Sequence, residues 1–526
     1  MSFAPDHWLR WAPRPRMSPD GEEYPHRWLA LIAVSMGVFI AALDVTVVGV
    51  IAPSLGREMA ATATEIQWVF DAYTVIMAGF VIFGGGLAER FGRKGAVQLG
   101  MMLFAVGAAI SALAPRIEVV IVGRVVSGLG SAVVFPGCLS ITSALFNVKE
   151  RATAIGIIAA ISAAGMVIGP LLGGILIELF GWWSAFFIVV PVAVLSVVAM
   201  AIVVPPTRGE GGGKLDWIGA VLSVLALGGI VFAVIEGPTR GWANGLIWGP
   251  FVVGVVSAVW FVSRELRVAS PLFDLRVFAD PRVVVGGLSM AMVYFTFNSS
   301  QLLLPQYLVS VLNLSELHVG LIMSPFGVAL MLLSPSSGRL VDRYGQRDML
   351  VWALAFMSAG MMVLALLPWW GGVWNVIAGA CVYGIGFGLI VAPATAAIMM
   401  AIPKEKAGDG SAVNMVSRQV GGAIGVAVTG AVAAWFYHSN VDLRGFQLTA
   451  EQTEVIERSL SGVDAVRAQL APAVVEQVTA RADAAMVKGV AIATAMTAGV
   501  TAIVAVFAFF LLPGKVTAVR HGASGE

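Results

Sequence analysis

An all-α polytopic membrane protein, built as two six-helix bundles with two additional transmembrane helices between them, is the architecture encoded here. Three observations lead to it. The chain is 58% hydrophobic and 12% charged, with 60 glycines and a mean hydropathy of +0.89, too apolar for a water-soluble domain. Its apolar residues gather into fourteen runs, each close to the roughly 20 residues a helix needs to cross a bilayer core. A short charged loop, GGGLAERFGRKGAV at 84–97, also returns as SGRLVDRYGQR at 337–347.

The runs are 29–55, 66–88, 96–114, 118–145, 152–178 and 184–204, then 217–235 and 246–262, then 284–311, 317–336, 349–368, 374–401, 411–436 and 486–512. They divide the chain into an N-terminal tail (1–28), an N-terminal six-helix bundle (29–204), a polar linker (205–216) containing PPTRGEGGGK, two additional spans (217–262), a connector (263–283), a C-terminal six-helix bundle (284–512) and a C-terminal tail (513–526). The first run is too long for a signal-peptide core and lacks a small-residue cleavage site, so it reads as a retained span. Within the last bundle, 437–485 is a long polar segment that reads as one or two short helices, with Thr449 and Gln452 spaced for a capping box.

Net charge is +1, so no basic field points to nucleic acid. Lysine and arginine are sorted by side instead. Arg90, Arg93, Lys94, Lys149, Arg151, Arg339, Arg343, Arg347, Lys404 and Lys406 share the side of the two termini, whereas the short loops opposite carry only Arg57, Arg116 and Arg240. The positive-inside rule then makes both termini cytoplasmic in a multi-pass protein of the cell inner membrane. Cys138 and Cys381 are the only cysteines and both fall inside runs, which argues against disulfides or a thiolate metal site.

The two charged loops align with Gly85 over Gly338, Glu89 over Asp342, Arg90 over Arg343 and Gly92 over Gly345, a separation of 253 positions. Each follows the second run of its six, so two related halves are expected. Glycines permit the tight turn, and the basic residues, Arg93 among them, hold the loop at the headgroups.

At these residues the chain resembles the major facilitator superfamily, specifically its fourteen-span drug:proton antiporter branch. GGLAERFGRK is similar to that superfamily's loop motif between spans 2 and 3, with Glu89 where Asp is usual. LDVTVVGVIAP (43–53) resembles the branch's first-span motif, RVVSGLGSA (124–132) its fourth-span motif with Ser127 in place of Gln, and GMVIGPLLGG (165–174) its fifth-span motif in full. LDWIG (215–219) and SRQVGGAIG (417–425) are also similar to segments of the branch. The resemblance implies a major facilitator fold and a proton-coupled exporter.

Asp44 lies about halfway along the first run, where a carboxylate costs ~3 kcal/mol on insertion scales. Desolvation favours its neutral form, and the resemblance assigns its position a proton-coupling role. Arg124, inside the fourth run, needs an acidic partner or carbonyls, and the resemblance links it to proton transfer. Asp71, in WVFDAYTV between Trp68 and Tyr73, is either hydrated near the interface or part of the substrate or proton pathway. Arg418 is buried by position, with the same two readings open.

YFTFNSSQLLLPQY (294–307) places Tyr294, Phe297, Asn298 and Gln301 in the span that opens the second half. Polar groups there face a cavity rather than lipid. With Trp68, Tyr73 and Arg418 they are the expected substrate-binding residues, since aromatic faces and a carboxylate suit lipophilic cations. Gly165, Gly169 and Gly173, four apart, give one helix face a flat strip for close approach of another backbone, and Pro170 removes a backbone donor and bends the helix. These residues, with Gly85, Glu89, Arg90, Gly92, Arg93, Asp342 and Arg343, are the expected conformational gate. Glu89 and Asp342 sit where they can pair with nearby bases or a helix amino terminus.

YGIGFG (383–388) lies in an apolar helix with no strand before it, and GEGGGKL (209–215) lacks the phosphate-loop spacing. ATP-driven pumping by this chain is unsupported. The five histidines are scattered, so no metal, no cofactor and no enzymatic site is expected. The expected function is proton-coupled export of lipophilic, often cationic, small molecules by alternating access, with export of a lipid or endogenous metabolite as the alternative. The partners are then a small-molecule substrate, protons and the lipid bilayer, with the chain acting as a monomer.

Overall fold

A computed structural model of the chain describes residues 24–206, 216–268, 275–402, 407–458 and 460–513. Most of both tails and of the polar linker lies outside the described residues. So does the side chain of Glu89.

Among the described residues the regular elements are helices, the form that lets a lipid-embedded backbone satisfy every N–H within its own segment. The N-terminal half is α1 (Arg27–Glu58), α2 (Ala63–Phe91), α3 (Arg93–Ala112), α4 (Ile117–Leu145), α5 (Val148–Phe180) and α6 (Trp183–Val203). The added pair is α7 (Trp217–Arg240) and α8 (Gly245–Glu265). The C-terminal half is α9 (Pro281–Gln306), α10 (Glu316–Tyr344), α11 (Gln346–Ala365), α12 (Val373–Ala401), α13 (Ala407–Asn440) and α14 (Pro472–Leu511). Thirteen of these are long and apolar enough to cross a membrane over their described residues. The remaining one, α2, is a 29-residue helix packed among them.

The two halves repeat each other in detail. Phe91 ends α2, Gly92 turns with φ of 101°, and Arg93 starts α3; Tyr344 ends α10, Gly345 turns with φ of 91°, and Gln346 starts α11. A side chain at either glycine would be strained in this left-handed region. Helices α3 and α4 then close through Gly100 and Gly130, whose backbones leave no room for a Cβ, and α11 and α12 do the same at Gly360 and Gly386.

The halves meet along two seams and one crossing. Helix α2 packs on α13, α5 on α10, and α1 crosses α9. The added pair lies over the first seam: Ser223 Oγ donates to Gly79 O of α2 at 2.9 Å, and Val231 and Ile235 join a buried cluster with Val75 of α2 and Ala423 and Ala427 of α13. Arg264 of α8 pairs with Asp216 at the start of α7.

The last span differs from its hydropathy run. Apolar character begins near 486, but α14 starts at Pro472 and runs for 40 residues, about 60 Å at 1.5 Å per residue. The helix thus extends past its apolar run into the more polar stretch that begins at Pro472. Between α13 and α14 lie two short helices, Ala450–Arg458 and Ser461–Val466. Thr449 and Gln452 form the expected reciprocal cap, with bonds of 3.0 and 3.1 Å. Tyr437 Oη of α13 donates to Ile456 O at 2.9 Å and ties this segment down. The face bearing these helices is called the loop face below, and the opposite one the terminal face.

Candidate functional site

Asp44 and Arg124 meet inside the N-terminal half. Arg124 Nη1 donates to Asp44 Oδ2 at 2.6 Å, and both side chains are 2% exposed. Arg124 Nε donates to Val69 O of α2 at 3.0 Å, and the guanidinium lies 4.5 Å over the Tyr73 ring. Tyr73 Oη in turn donates to Ser131 Oγ at 2.9 Å. A buried ion pair survives desolvation only with such additional partners, and here one arginine joins α1, α2 and α4.

Two residues after Val69 and two before Tyr73, Asp71 points the other way, since alternate helix positions lie on roughly opposite sides. Its side chain is 0% exposed, and neither carboxylate oxygen has a hydrogen-bond partner among the described residues. It shares its helix face with Gln67 and Thr74, at i−4 and i+3. That face runs along α13: a Cβ on Gly430 would lie 2.8 Å from Gln67 Nε2, and one on Gly422 would meet Asn298 Nδ2 and lie 3.6 Å from Thr74 Cγ2. Gln67 Oε1 and Asn298 Oδ1 are also buried without a partner. Where α2, α13 and α9 meet there is therefore a row of hydrogen-bond acceptors that lack donors among the described residues.

The remaining aromatic and polar candidates divide between this seam and the C-terminal half. Trp68 turns toward the added pair, its Nε1 donating to Glu236 Oε1 at 3.0 Å, and Glu236 also receives Arg240 Nε at 2.5 Å. Gln301 Nε2 donates to Thr46 O at 3.4 Å where α1 crosses α9. Tyr294 lies 5.0 Å below the Arg418 guanidinium, and Arg418 is half-buried with its Nε unpartnered. Phe297 stacks on Phe326 at 5.5 Å, and Phe326 on Tyr383 at 5.0 Å, with Phe387 edge-on to Phe326 at 5.2 Å. The sequence reading missed Gln67, Phe326, Tyr383 and Phe387. Helical spacing of Tyr383 and Phe387, one turn apart, is the signal that was there.

The expected gate residues lie in three places. Gly165 and Gly169 press on Phe39, Ala42, Leu43 and Thr46 of α1, and Gly173 on Val47. On its other side α5 touches the C-terminal half: Pro170 O faces Gly320 of α10, and a Cβ on Gly174 would lie 2.7 Å from Glu316 O. At the terminal face Gly85 sits near Pro136 of α4, and Arg93 Nη1 donates to Ser140 O at 3.5 Å. Arg343 stacks on Tyr344 at 5.3 Å, and Arg90, Asp342 and Arg343 all have partners.

The sequence reading also missed a clamp on the loop face. Glu316 Oε1, at the start of α10, accepts from Arg57 Nη2 of α1 at 2.8 Å and from Ser54 Oγ. Along the α5/α10 seam contact persists from there to Val167 and Gly327, while Gly156 and Gly338, nearer the terminal face, have nothing among the described residues within 4 Å of a would-be Cβ. Among the described residues, the α5/α10 seam is thus in contact near the loop face and open at these two positions toward the terminal face.

Residues 34–426, which include both glycine hairpins and the buried Asp44–Arg124 pair, match a model of the Major Facilitator Superfamily. The chain belongs to this family. Among curated relatives, the multidrug resistance protein Stp of Mycobacterium tuberculosis is 34% identical over 77% of this chain and 76% of its own length. The multidrug efflux pump LfrA of Mycolicibacterium smegmatis is 31% identical over 90% of this chain and 94% of its own. Among solved structures, a bacterial homologue of the human lysosomal transporter Spinster, in an inward-facing and unoccupied conformation, superposes with a TM-score of 0.67 at 16% identity, covering 93% of this chain and 98% of that one. The superposition speaks to the fold. This major facilitator protein is accordingly a multi-pass transporter whose curated relatives include multidrug efflux proteins.

Proposed function

We propose that this chain is a proton-coupled exporter of lipophilic, often cationic, small molecules in the cell inner membrane, with both termini cytoplasmic. The observation that carries the reading is Asp71: a wholly buried carboxyl group on the seam between the halves, with no donor to either oxygen among the described residues. Holding a carboxylate there as an isolated ion costs several kcal/mol, so the group is stable when it carries a proton or faces a cation. Asp44 belongs to the same system. Its carboxyl group is bonded to Arg124 in the present state, and movement of α1 against α4 would break that bond and open it to exchange with the interior. Proton and cationic substrate then compete for the same acidic interior, which is the requirement for exchange.

Alternating access supplies the rest. With the clamp on the loop face shut and the α5/α10 seam parted below, substrate enters from the cytoplasmic side. The aromatic cluster around Phe297, Phe326 and Tyr294, with Asn298 and Arg418 at its edge, receives it through stacking and cation–π attraction. The driving force suffices, because 100 mV supplies about 2.3 kcal/mol per charge and each pH unit about 1.4 kcal/mol.

The test is dye flux in proteoliposomes under an imposed pH gradient, with Asp44→Asn and Asp71→Asn beside the parent protein. Gradient-driven accumulation by the parent and its loss in both variants is the expected result. Undiminished accumulation after collapse of the proton-motive force would overturn the reading.

A further inference from the structure

Gln67 is 2% exposed, its Oε1 has no partner among the described residues, and its carboxamide lies against Gly430 of α13. It also lines a partly open chamber of about 350 Å³ on the loop face, bordered by α1, α2, α9, α13 and α14, far above the ~15 Å³ that a single water needs. The chamber walls carry Gln306, Tyr437, Arg467, Thr479 and Asp483, so polar groups accompany the apolar ones. Asp71 follows Gln67 at i+4 on the same helix face, about 6 Å deeper at 1.5 Å per residue. The residues of this stripe that face α13 and α9 are therefore, from the loop face inward, Gln67, Asp71 and Thr74, with Asn298 opposite Thr74.

We infer that Gln67 is the port through which protons from the loop-face chamber reach Asp71. The carboxamide does not titrate. It holds a water at the chamber floor in line with the carboxyl group, a proton passes from a hydronium ion in the chamber to an Asp71 oxygen, and the hydronium becomes water. The direction follows from placement: toward the loop face Gln67, one turn from Asp71, lines the chamber, whereas toward α4 Arg124 is already committed to Asp44 and Val69 O. The charged groups on neighbouring elements are Arg124 of α4, paired with Asp44 of α1, Arg418 of α13, and Glu236 of α7 behind Trp68. In the chamber itself they are Arg57, Arg467 and Asp483. Chamber, port and acid together explain why three acceptor side chains on one seam lack donors: the missing donor is water or the proton it brings. Gln67 is thus a positioning residue, and the inference rests on the reading of Asp71 as a proton carrier.

The experiment compares two fluxes in proteoliposomes loaded with a pH-sensitive dye and a fluorescent lipophilic cation. Proton–substrate exchange needs the port, whereas substrate–substrate counterflow moves no net proton and does not. Gln67→Leu is expected to slow exchange at least tenfold and counterflow less than twofold, with Gln67→Glu restoring exchange. Gly430→Ala, which displaces the carboxamide without removing it, is expected to slow exchange with counterflow kept, and it serves where Gln67→Leu fails to fold. Equal loss of both fluxes in the folded variants, or loss of neither, would overturn the port. Asp71→Asn in the same assay keeps the two ideas apart: if it exchanges protons at the parent rate, Asp71 itself is not the carrier, whereas a dead Asp71→Asn beside a normal Gln67→Leu removes the port alone.

Discussion

Arg57 and Glu316 join the first helix of one half to the second helix of the other by an ion pair of 2.8 Å at the loop face, with Ser54 bonded to the same carboxylate oxygen. Arg57 is 39% exposed and Glu316 13%, so the pair sits between a solvated bridge and a buried one. Exposed pairs contribute ~1 kcal/mol or less. Glu316→Gln is therefore expected to shift the population toward the loop-face-open state by severalfold, and the exchange Arg57→Glu with Glu316→Arg to reverse most of that shift. Labelling of a cysteine placed in the chamber, by a membrane-impermeant reagent, measures it. Equal labelling in all three proteins would show that the clamp does not hold the halves.

Removing Arg124 leaves Asp44 buried and alone. Breaking a buried pair from one side costs ~3–5 kcal/mol, so Arg124→Ala is expected to lower the unfolding temperature in detergent and abolish transport. The double variant Asp44→Asn with Arg124→Gln removes both charges and is expected to recover stability but not transport. A double variant no more stable than Arg124→Ala would mean that the pair contributes through packing.

Gly320 faces Pro170 O across the seam between the halves, with no space for a Cβ. Gly320→Ala is expected to wedge α5 from α10, leaving a folded protein with transport reduced about tenfold or more. By contrast Gly338→Ala meets open space and is expected to be silent. Flux per folded molecule separates the two.

Asp216 offers a pH test outside the lipid. Burial by itself pushes its carboxyl up, but the Arg264 bond and the Gly219 N–H outweigh this, and the net direction is below the ordinary carboxylate value. A depressed folded-state value means stability that is present above the unfolded value, near ~3.9, and lost as pH falls through the folded one. Asp216→Asn is accordingly expected to melt lower than the parent at neutral pH, with the difference shrinking as the medium is acidified below pH 4. A gap independent of pH would assign it to the helix cap alone.

Glu236 fixes Trp68 and Arg240 together. Replacing it with Leu removes both bonds and frees the indole one turn from Asp71. The expected result is weaker proton coupling with little loss of stability, read as the ratio of exchange to counterflow. Parent-like coupling would restrict α7 to a packing role.

What the sequence disclosed, and what it hid, follows from the lipid environment. The hairpins at Gly92 and Gly345 were legible because charge and glycine stand out between apolar runs. Asp44 and Arg124 were legible for the same reason, as costly groups in apolar helices, but their 2.6 Å contact joins residues 80 positions apart and leaves no local trace. Phe326 was hidden because spans that are apolar all round give no periodic contrast between the lipid side and the interior, and Tyr383 and Phe387 left only their one-turn spacing. Arg57 and Glu316 were hidden as ordinary interfacial charges. Gln67 escaped because one amide near a helix start resembles hydrated surface, and only the backbone of Gly430 against it shows that it is enclosed.

Helix α14 rises past the slab by several turns and is held there by Arg481 on Asp442 at 3.1 Å. For a 55.0 kDa membrane protein, a rigid feature outside the detergent belt is what an imaging method needs for alignment. This overhang supplies a stiff epitope on which a nanobody or fused reporter can sit, on the face opposite the terminal-face opening, so that particle alignment and entry of cargo there need not interfere.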